Sequence, residues 1–536
     1  MNRNREWRRG RLATAFIGAG LLACSLAGRA QPEPYDLLIV GARIVDGTGA
    51  PARPANLAIR SGLIAAVDAP ADAPALSRID AANLVVAPGF IDVHTHADDI
   101  VERPLAENFV RMGVTTVVAG NCGSSALAMG EAFDRIRSTR VSVNFASFVG
   151  HNTVRAAVMG RERRDPTLGE LARMKELVFR AMAEGAIGFS TGLQYVPGVY
   201  ARSSEIIELA RVAANEGGLY ASHLRNEGTE LTGALEETIR VGLLLDMPIE
   251  ISHLKVDSPS RWGGSGAALG IIAEARRRGV EVQADQYAYT AGASSLSIRF
   301  PAWALEGGPE TVRARLADEG EWRRIKDEMR AMLAERGFDD LAWATVARYG
   351  ADPALNGLSM REVAGRLVGS ESAEAQLEAA RQLMQGGGAS MVYHFMSDED
   401  IERIMRDPFV SVASDAGVIE FGRGVPHPRG YGNNARVLGE YVRERGVLSL
   451  EDAVRRMTSL PARHFGFADR GEIRVGAAAD LVLFDPGRIR DTATYEAPHA
   501  YPEGLAWVLV NGEVVVGEAG HTGRRPGGVL RRSRSR

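Results

Sequence analysis

Cysteine is nearly absent from this chain of 536 residues, which contains only Cys24 and Cys122. Cys24 lies in an N-terminal segment that we expect to be processed, so the mature chain can form no internal disulfide. A single thiol outside the cytoplasm is prone to oxidation unless it is buried or bound to a metal. The scarcity of cysteine therefore makes Cys122 a candidate metal ligand.

Long apolar runs and a positive net charge are missing as well. The apolar stretch 12–28 is too short and too poor in large side chains to indicate a membrane span. The net charge is −4 although residues 1–30 carry six arginines and one glutamate, so the rest of the chain is more acidic than the total. This balance argues against a nucleic-acid partner, which needs a basic face. A dinucleotide site is disfavoured, because the glycines of Trp262–Gly266 follow no strand and lack the G-x-G-x-x-G pattern.

The N-terminus has the pattern of an export signal. An arginine-rich start is followed by the apolar stretch 12–28 and by small residues suited to cleavage after Ala30. Residues 21–24 also resemble a bacterial lipoprotein box, which would leave Cys24 as a lipidated N-terminus. We therefore predict that residues 1–30 direct export, and that the protein is either periplasmic or anchored by a lipid.

Strand-like sequence at both ends of the chain predicts a small, discontinuous domain. It occurs in residues 31–88 and again in residues 466–523, and we predict that the two stretches pack together as one β-sandwich. Within the first stretch, Asp36–Asp46 is predicted to form two paired strands. Residues 89–465 remain as the catalytic body. The last segment, 524–536, is basic and contains Gly, Pro and Ser, so it is predicted to be a solvated tail.

The central body repeats with the period of a (β/α)₈ barrel. Seven short apolar runs end 26 to 39 residues apart with helical patterns between them, and one βα unit of such a barrel takes roughly 31 residues. An eighth run, Phe409–Asp415, follows an insertion of about residues 291–407. We therefore predict an α/β fold with a TIM-type barrel, and an insertion that forms a lid or a wall of the substrate site. The first seven runs end at His96, Cys122, His151, Ser190, His223, His253 and Asp285.

Candidate metal ligands collect at the ends of these predicted strands. His94 and His96 are two residues apart on one strand, so their side chains point to the same face, and a TIM barrel places its active site at the ends of its strands. Thiolate and imidazole together favour zinc, with iron, cobalt and manganese as weaker alternatives. The predicted metal ligands are His94, His96, Cys122, His223, His253 and Asp415.

Two further histidines can be explained without a role as metal ligands. His151 ends strand three without a partner in the pattern, and we expect a supporting or purely structural role. His394 lies in the insertion, where substrate contact and simple packing are equally compatible with its apolar surroundings.

Several motifs resemble a known family. Pro88–His96 resembles the opening of the amidohydrolase superfamily, while the turn at Cys122, Gly188–Gly198 and Ser252–Lys255 are similar to the N-acyl-D-amino-acid deacylases, or D-aminoacylases. The resemblance implies hydrolysis of the amide of a small N-acyl-D-amino acid to a carboxylic acid and a free D-amino acid. It also implies that Asp415 moves the proton in this reaction.

The same resemblance implies a division of the ligands between two zinc sites. Cys122, His223 and His253 would hold the tight zinc. His94, His96 and Asp415, sharing Cys122, would form a weaker second site.

The substrate of such an enzyme carries a free α-carboxylate that needs cationic partners. Lys255 follows the ligand His253 by two residues and so lies on the same face, provided that the strand continues. Arg429 resembles the family position that binds the carboxylate, and its planar fork suits bidentate capture. Tyr195 and Tyr287 resemble hydroxyl contacts of the family.

Two other function classes stay open. A cyclic-amide hydrolase of the hydantoinase kind usually bridges its metals with a carboxylated lysine on strand four, and residues 186–190 contain no lysine. A non-catalytic ligand-binding protein is the second alternative. It is disfavoured because Asp415 is present together with every ligand.

Overall fold

The computed structural model describes residues 33–533. The predicted export signal, its cleavage site and Cys24 lie outside these residues. Among the helices of residues 33–533, none is both long enough and apolar enough to cross a bilayer.

The two ends of the chain form one sheet of nine strands. Val85–Pro88 joins them, because it pairs in parallel with Tyr35–Ile44 and antiparallel with Leu481–Phe484. Apolar side chains from both ends, among them Ile39 and Leu483, pack in one buried cluster. The strands are Tyr35–Ile44, Arg53–Arg60, Leu63–Val67, Ala75–Asp80, Val85–Pro88, Leu481–Phe484, Leu505–Val510, Glu513–Gly517 and Gly520–His521.

The prediction of two paired strands within Asp36–Asp46 was wrong. The segment is a single strand, Tyr35–Ile44, whose register against its neighbour shifts between Ile39 and Ala42. Gly41 lies at this shift with a φ of 74°, a conformation that glycine adopts at low cost. The glycine therefore makes a bulge that bends one strand, and not a turn between two strands.

The central body alternates parallel strands with helices. Strands one to three pair in one sheet. The end of strand three pairs with strand four, and strands four to eight continue from there as a second sheet. Beyond these strands, Ala416–Gly417 pairs with Thr95–His96, so the chain leaving strand eight lies beside the chain leaving strand one. In order, the strands are Phe90–Asp92, Val114–Ala119, Asn144–Ser147 with Val149–Gly150, Gly188–Gly192, Leu219–His223, Ile249–Ile251, Val282–Gln286 and Val410–Val412.

The helices between the strands follow local sequence rules. Leu168–Glu184 begins with a capping box in which Thr167 and Glu170 each accept a backbone N–H of the other, and the chain leaves the helix at Gly185. Its Met174 and Val178 face the core. The other helices of the body outside the insertion are Glu107–Val110, Met129–Thr139, His151–Met159, Ser203–Asn215, Leu231–Leu245, Ser265–Arg277, Arg429–Arg436 with the π-helical Val437–Glu444, Leu450–Met457 and Ser459–Phe465.

The insertion has a small sheet and helices of its own. Ala389–His394 is the central strand and pairs antiparallel with Ala291–Ser295 and Ala344–Tyr349. Pro309–Ala317 and Glu319–Arg336 are two consecutive helices of the insertion that meet at Asp318. The helices of the insertion are Pro309–Ala317, Glu319–Arg336, Met360–Val368, Ala373–Gln385 and Asp398–Met405.

Residues 527–530 of the final segment are not the solvated tail that its composition indicated. The amide of Phe145 donates to the carbonyl of Gly528 at 2.8 Å, and the amide of Leu530 donates to the carbonyl of Phe145 at 2.8 Å. Val529 packs against the buried core that includes Phe145. The apolar pair Val529 and Leu530, placed among arginines, gives this segment a surface to bury, so residues 527–530 line the edge of strand three.

Gly188 of strand four packs directly against the backbone of strand five, and this close packing generates a stability prediction. A Cβ atom at this position would lie 2.1 Å from the carbonyl oxygen of Leu219. We expect Gly188→Ala to destabilise the protein by about 1–3 kcal/mol, because neighbouring backbone must move. Gly233→Ala is the matched control, since it lies in a helix with no atom within 4 Å of its Cβ and should be neutral or stabilising. Thermal unfolding followed by circular dichroism measures both, and equal melting temperatures would contradict the assigned packing.

Candidate metal centre

Three histidines surround the thiol of Cys122 at the ends of the central strands. The Sγ atom lies 3.4 Å from His94 Nε2, 3.6 Å from His223 Nδ1 and 3.6 Å from His253 Nε2. All four side chains are buried. Burial alone would raise the pKa of Cys122, but His94 and His223 bring it well below its ordinary value. The sulphur is thus held as a thiolate, the form that binds metals.

The backbone at this centre is strained. Cys122, His253 and Asp415 have φ values of 54°, 35° and 51°, in a region that residues other than glycine seldom occupy. Hydrogen bonds hold the strained turns. The amide of His253 donates to Asp285 Oδ1 at 2.8 Å, and the amide of Asp415 donates to the carbonyl of His94 at 2.9 Å. These strained turns direct three side chains, each following a different strand, toward one another.

Asp415 lies on the open side of this cluster. Its Oδ1 atom is 3.1 Å from His96 Nε2 and 3.6 Å from His94 Nε2, and its Oδ2 atom is 2.9 Å from Arg429 Nη1. Burial alone would raise the pKa of Asp415, but Arg429 and His94 hold it well below its ordinary value. Asp415 is therefore an ionised carboxylate, with one oxygen facing the histidines and the other facing the arginine.

The donor atoms fit zinc in both number and spacing. Cys122, His223 and His253 offer donor atoms that lie within 4.8 Å of one another, and so do two overlapping groups that include His94. Sulphur and nitrogen ligands of one tetrahedral zinc lie about 3.6 Å apart, which follows from the usual bond lengths. The three contacts of the Cys122 sulphur match this spacing. One thiolate with two imidazoles is a ligand set that zinc prefers.

Each histidine that faces Cys122 has an acceptor at its other ring nitrogen. His253 Nδ1 lies 3.1 Å from Glu227 Oε1, His223 Nε2 lies 3.2 Å from Gln194 Oε1, and His94 Nδ1 lies 3.5 Å from Asp285 Oδ2. A proton on the outer nitrogen leaves the lone pair of the inner nitrogen free for a metal. At His94 and His223 these acceptors suit the tautomer that a zinc site needs, whereas at His253 the Lys255 Nζ atom lies 2.7 Å from Nδ1 and competes with Glu227 for the same nitrogen.

Lys255 is engaged within the protein. Its Nζ atom is 2.6 Å from Glu227 Oε1 and 2.9 Å from the carbonyl oxygen of His253. The structure therefore places Lys255 where it fixes Glu227, which in turn orients His253. Its contact with a substrate carboxylate stays a prediction. Sequence reasoning missed Glu227, although its position four residues after His223 was a readable signal.

Of the remaining predicted substrate residues, Tyr195 and Tyr287 line the pocket beside the candidate ligands, and Arg429 packs on Tyr287. The guanidinium of Arg429 lies over the ring of Tyr287 at 4.5 Å, and the buried Tyr287 hydroxyl has no hydrogen-bond partner among the described residues. The Tyr195 hydroxyl lies 3.5 Å from His223 Nδ1 and 3.2 Å from Ser294 Oγ. The structure thus brings Arg429, Tyr195 and Tyr287 together around the metal ligands.

Two histidines lie away from the centre. His151 Nε2 is 2.8 Å from Glu205 Oε1, and Arg155 pairs with the same carboxylate, so His151 belongs to a buried structural ion pair. The ring of His394 packs edge-on against Tyr495 with the ring centres 4.6 Å apart. Both side chains are thus engaged away from the cluster around Cys122.

A larger cavity adjoins the pocket. It has a volume of about 470 Å³ and shares Gln194, Tyr195 and Ile298 with the pocket of the metal ligands. Most of its further lining comes from the insertion and includes apolar side chains, for example Phe300 and Met384. The insertion therefore supplies walls for more than one substituent of a substrate.

Comparisons with known proteins agree with this geometry. The model of the amidohydrolase family matches residues 78–516 of the chain. The chain belongs to the amidohydrolase family. A D-aminoacylase of Alcaligenes xylosoxydans xylosoxydans is 37% identical over 94% of this chain and 99% of its own length. An N-acyl-D-glutamate deacylase of the same organism is 38% identical over 94% of this chain and 98% of its own length.

A solved relative gives the same result for the fold. The N-acyl-D-glutamate deacylase of Bordetella bronchiseptica, in complex with zinc and a phosphonate inhibitor, is 37% identical, with a TM-score of 0.79 over 93% of this chain and 100% of that chain. The predicted resemblance to the N-acyl-D-amino-acid deacylases is thereby confirmed, and this amidohydrolase is an enzyme for linear amides. A D-hydantoinase structure is 17% identical with a TM-score of 0.52, so its likeness concerns the fold alone.

The contacts of the thiolate generate a prediction about metal content. Purified wild-type protein should hold close to one tightly bound zinc per chain, and Cys122→Ala should lose most of it, because the sulphur contacts three of the imidazoles at once. His394→Ala is the control and should keep its zinc, since this histidine packs on Tyr495. Elemental analysis after gel filtration measures the content. Undiminished zinc in Cys122→Ala would remove Cys122 from the tight site.

Proposed function

We propose that this amidohydrolase is a zinc-dependent deacylase that hydrolyses N-acyl-D-amino acids to a carboxylic acid and a free D-amino acid. The observation that carries the proposal is the convergence of one thiolate and four histidines with the ionised Asp415. The relatives of nearly full length support it, because they are named for deacylation of D-amino acids.

Two metal positions are proposed. Cys122, His223 and His253 would hold the tight zinc, and His94, His96 and Asp415, sharing Cys122, would form the weaker site. The donor atoms of Cys122, His223 and His253 lie within 4.8 Å of one another, and so do those of His94, His96 and Cys122. Asp415 Oδ1 lies 3.1 Å from His96 Nε2 and 3.6 Å from His94 Nε2. A zinc ion in the tight site supplies a Lewis acid that polarises the amide carbonyl and makes water acidic enough to react near neutral pH.

Asp415 is proposed as the group that moves the proton. It is the ionised carboxylate beside the ligands, and its Oδ1 atom faces the histidines while Arg429 holds Oδ2. It would accept a proton from the attacking water at Oδ1 and return that proton to the departing amide nitrogen. The general base becomes the general acid of the second half of the reaction.

Arg429 is proposed to bind the α-carboxylate of the substrate. It is buried at 4% exposure, so little solvent screens its charge, and its Nη1 atom lies 2.9 Å from Asp415 Oδ2. The unpartnered hydroxyl of Tyr287 lies beside it and offers one more donor. An anchored carboxylate at Arg429 and an anchored carbonyl at the ligands leave one direction for the side chain at Cα.

The finer features of the fold are also proposed. The pairing of Ala416–Gly417 with Thr95–His96 supports a closed ring of eight strands. The bridge between Leu63 and Ala478 supports a nine-stranded sheet that curls into a sandwich. Export, to the periplasm or to a lipid anchor at Cys24, is proposed from the sequence of residues 1–30 alone.

Stereochemistry tests the proposed function. With zinc-loaded protein, N-acetyl-D-amino acids should be cleaved at least tenfold faster than their L enantiomers, because two anchored groups admit one configuration at Cα. Release of the free amino acid measures the rate. A hydantoin serves as the control substrate and should resist cleavage, since the proposed reaction needs a linear amide. Equal rates for D and L forms would refute the proposed substrate class.

The role of Asp415 generates a separate prediction. Asp415→Asn should lower kcat by roughly 10²–10⁴-fold, because the amide cannot accept the proton of water. Its zinc content should stay near that of the wild type, since Cys122, His223 and His253 remain. Asp99→Asn, a change at a partly exposed aspartate that pairs with Arg103, should keep full activity. Near wild-type turnover by Asp415→Asn would show that another group moves the proton.

A further inference from the structure

His427 is a buried histidine whose ring bridges two backbone groups from different parts of the chain. Its Nδ1 atom accepts the amide of Arg429 at 3.0 Å, and its Nε2 atom lies 2.8 Å from the carbonyl oxygen of Ala291. The histidine therefore joins the segment that follows strand eight to Ala291–Ser295, the first strand of the insertion.

The two partners of His427 are main-chain groups, so they fix the tautomer of its ring. An amide N–H can only donate and a carbonyl oxygen can only accept, which leaves Nδ1 without a proton and Nε2 with one. Burial and the positive charge of Arg429 hold the pKa of His427 well below its ordinary value. The ring is therefore neutral, and both its acceptor and its donor are engaged.

The neighbouring prolines favour this arrangement. Pro426 and Pro428 fix their own φ angles, and a residue that precedes proline is restricted to extended backbone. Pro428 also precedes the helix Arg429–Arg436, and a proline side chain has no group that could cap it. The amide of Arg429 is one of the first amides of that helix, which have no intrahelical acceptor. The ring of His427 supplies the acceptor instead.

Aromatic rings hold the imidazole in its orientation. Tyr287, Tyr289 and Tyr495 lie edge-on to His427, with ring centres 6.2, 5.2 and 5.3 Å away. The ring centre of Tyr287 is also 4.5 Å from the guanidinium of Arg429. The backbone and the charged end of Arg429 are therefore held by one group of neighbours.

The second hydrogen bond of His427 connects Arg429 to a wall of the pocket. Ala291 begins a strand whose next residues, 292–294, line the pocket of the candidate ligands. A ring that is bound to this strand at one nitrogen and to Arg429 at the other sets the distance between them. In the proposed function this distance decides where the α-carboxylate lies relative to the pocket wall.

We propose that His427 is a positioning residue that holds Arg429 in the orientation in which its guanidinium meets the α-carboxylate of the substrate. The inference rests on the proposed function and adds a residue to its substrate-binding machinery. An arginine pairs with a carboxylate through two parallel hydrogen bonds, a geometry that tolerates little displacement. Without the acceptor at Nδ1 the buried amide of Arg429 is unpaired, so the backbone shifts toward another partner and carries the guanidinium with it.

The test removes one hydrogen bond of His427 at a time. His427→Gln places its amide near the position of Nε2 and can still donate to Ala291, but it offers no acceptor to Arg429. His427→Asn places its oxygen near the position of Nδ1 and keeps that acceptor, while the donor to Ala291 is lost. The zinc-loaded proteins are assayed with N-acetyl-D-leucine and with N-acetyl-D-leucinamide, which lacks the α-carboxylate.

We expect a change in KM that is confined to the free acid. The wild type should prefer the acid to the amide at least tenfold in kcat/KM. His427→Gln should raise KM for the acid at least tenfold, with kcat and the KM for the amide within threefold of the wild type. His427→Asn should keep KM for the acid within threefold. Equal rises in KM for acid and amide would show a merely structural role and overturn the inference.

A double-variant cycle ties the effect to Arg429. Arg429→Met should lose the preference for the acid, and His427→Gln added to it should change KM by less than twofold, since the positioned group is gone. Additive effects of the two changes would overturn the inference. His427→Phe keeps the aromatic packing and removes both hydrogen bonds. It replaces His427→Gln, with the same expected results, if the glutamine variant does not fold.

His499 provides the matched control. Its Nδ1 atom accepts the amide of Gly422 at 3.2 Å, and its Nε2 atom lies 3.0 Å from the carbonyl oxygen of Gly424, so it also bridges two backbone groups. His499→Gln should leave the ratio between acid and amide unchanged. An unaltered ratio in His427→Gln would overturn this inference alone. An unaltered ratio in Arg429→Met would overturn the carboxylate anchor as well, and failure to cleave any N-acetyl-D-amino acid would overturn the proposed function.

Discussion

The contact between the Cys122 sulphur and three imidazoles is the constraint on which the rest of the centre depends. A thiolate in a buried place needs positive or polarised groups around it, and His94, His223 and His253 supply them at 3.4 to 3.6 Å. These residues come from strands one, two, five and six or from the turns after them. The strands must therefore end at a common level, and the positive φ values at Cys122 and His253 are the local cost of this.

A ring of oxygen acceptors around the ligands completes the electrostatic arrangement. Glu227, Gln194 and Asp285 contact the outer nitrogens of the histidines. Lys255 compensates Glu227, and Arg429 compensates Asp415. Nearly every buried charge at the centre is thus balanced inside the chain, which keeps the donor atoms preorganised before a substrate arrives.

Much of the fold could be predicted from local periodicity. The helix Leu168–Glu184 lies between two strands, where helical patterns were predicted, and the candidate ligands meet at the ends of the predicted strands. The bulge at Gly41 could not be distinguished from a turn, because both use glycine with a positive φ. Residues 527–530 were misread because composition cannot show which edge of a sheet is free to pair.

Site residues were predictable where the residue type alone implies a chemical role. They were less predictable where the role depends on which side chain lies beside the residue. Cysteine and histidine at strand ends indicate a metal centre by their residue types alone. Lys255 was expected to face the substrate, yet Glu227 engages its charge, and this depends on a side chain 28 residues away.

The sheet shared by the two chain ends has a consequence for biosynthesis. Val85–Pro88 is made early, but its neighbour Leu481–Phe484 is about four hundred residues away and is made near the end. Until the ribosome has released that strand, the early strands present an open edge with unpaired amides and carbonyls. A chain that stops short of Leu481 keeps this sheet edge exposed. Chaperones and proteases can therefore recognise an incomplete product by its unpaired strand edge rather than by its missing activity.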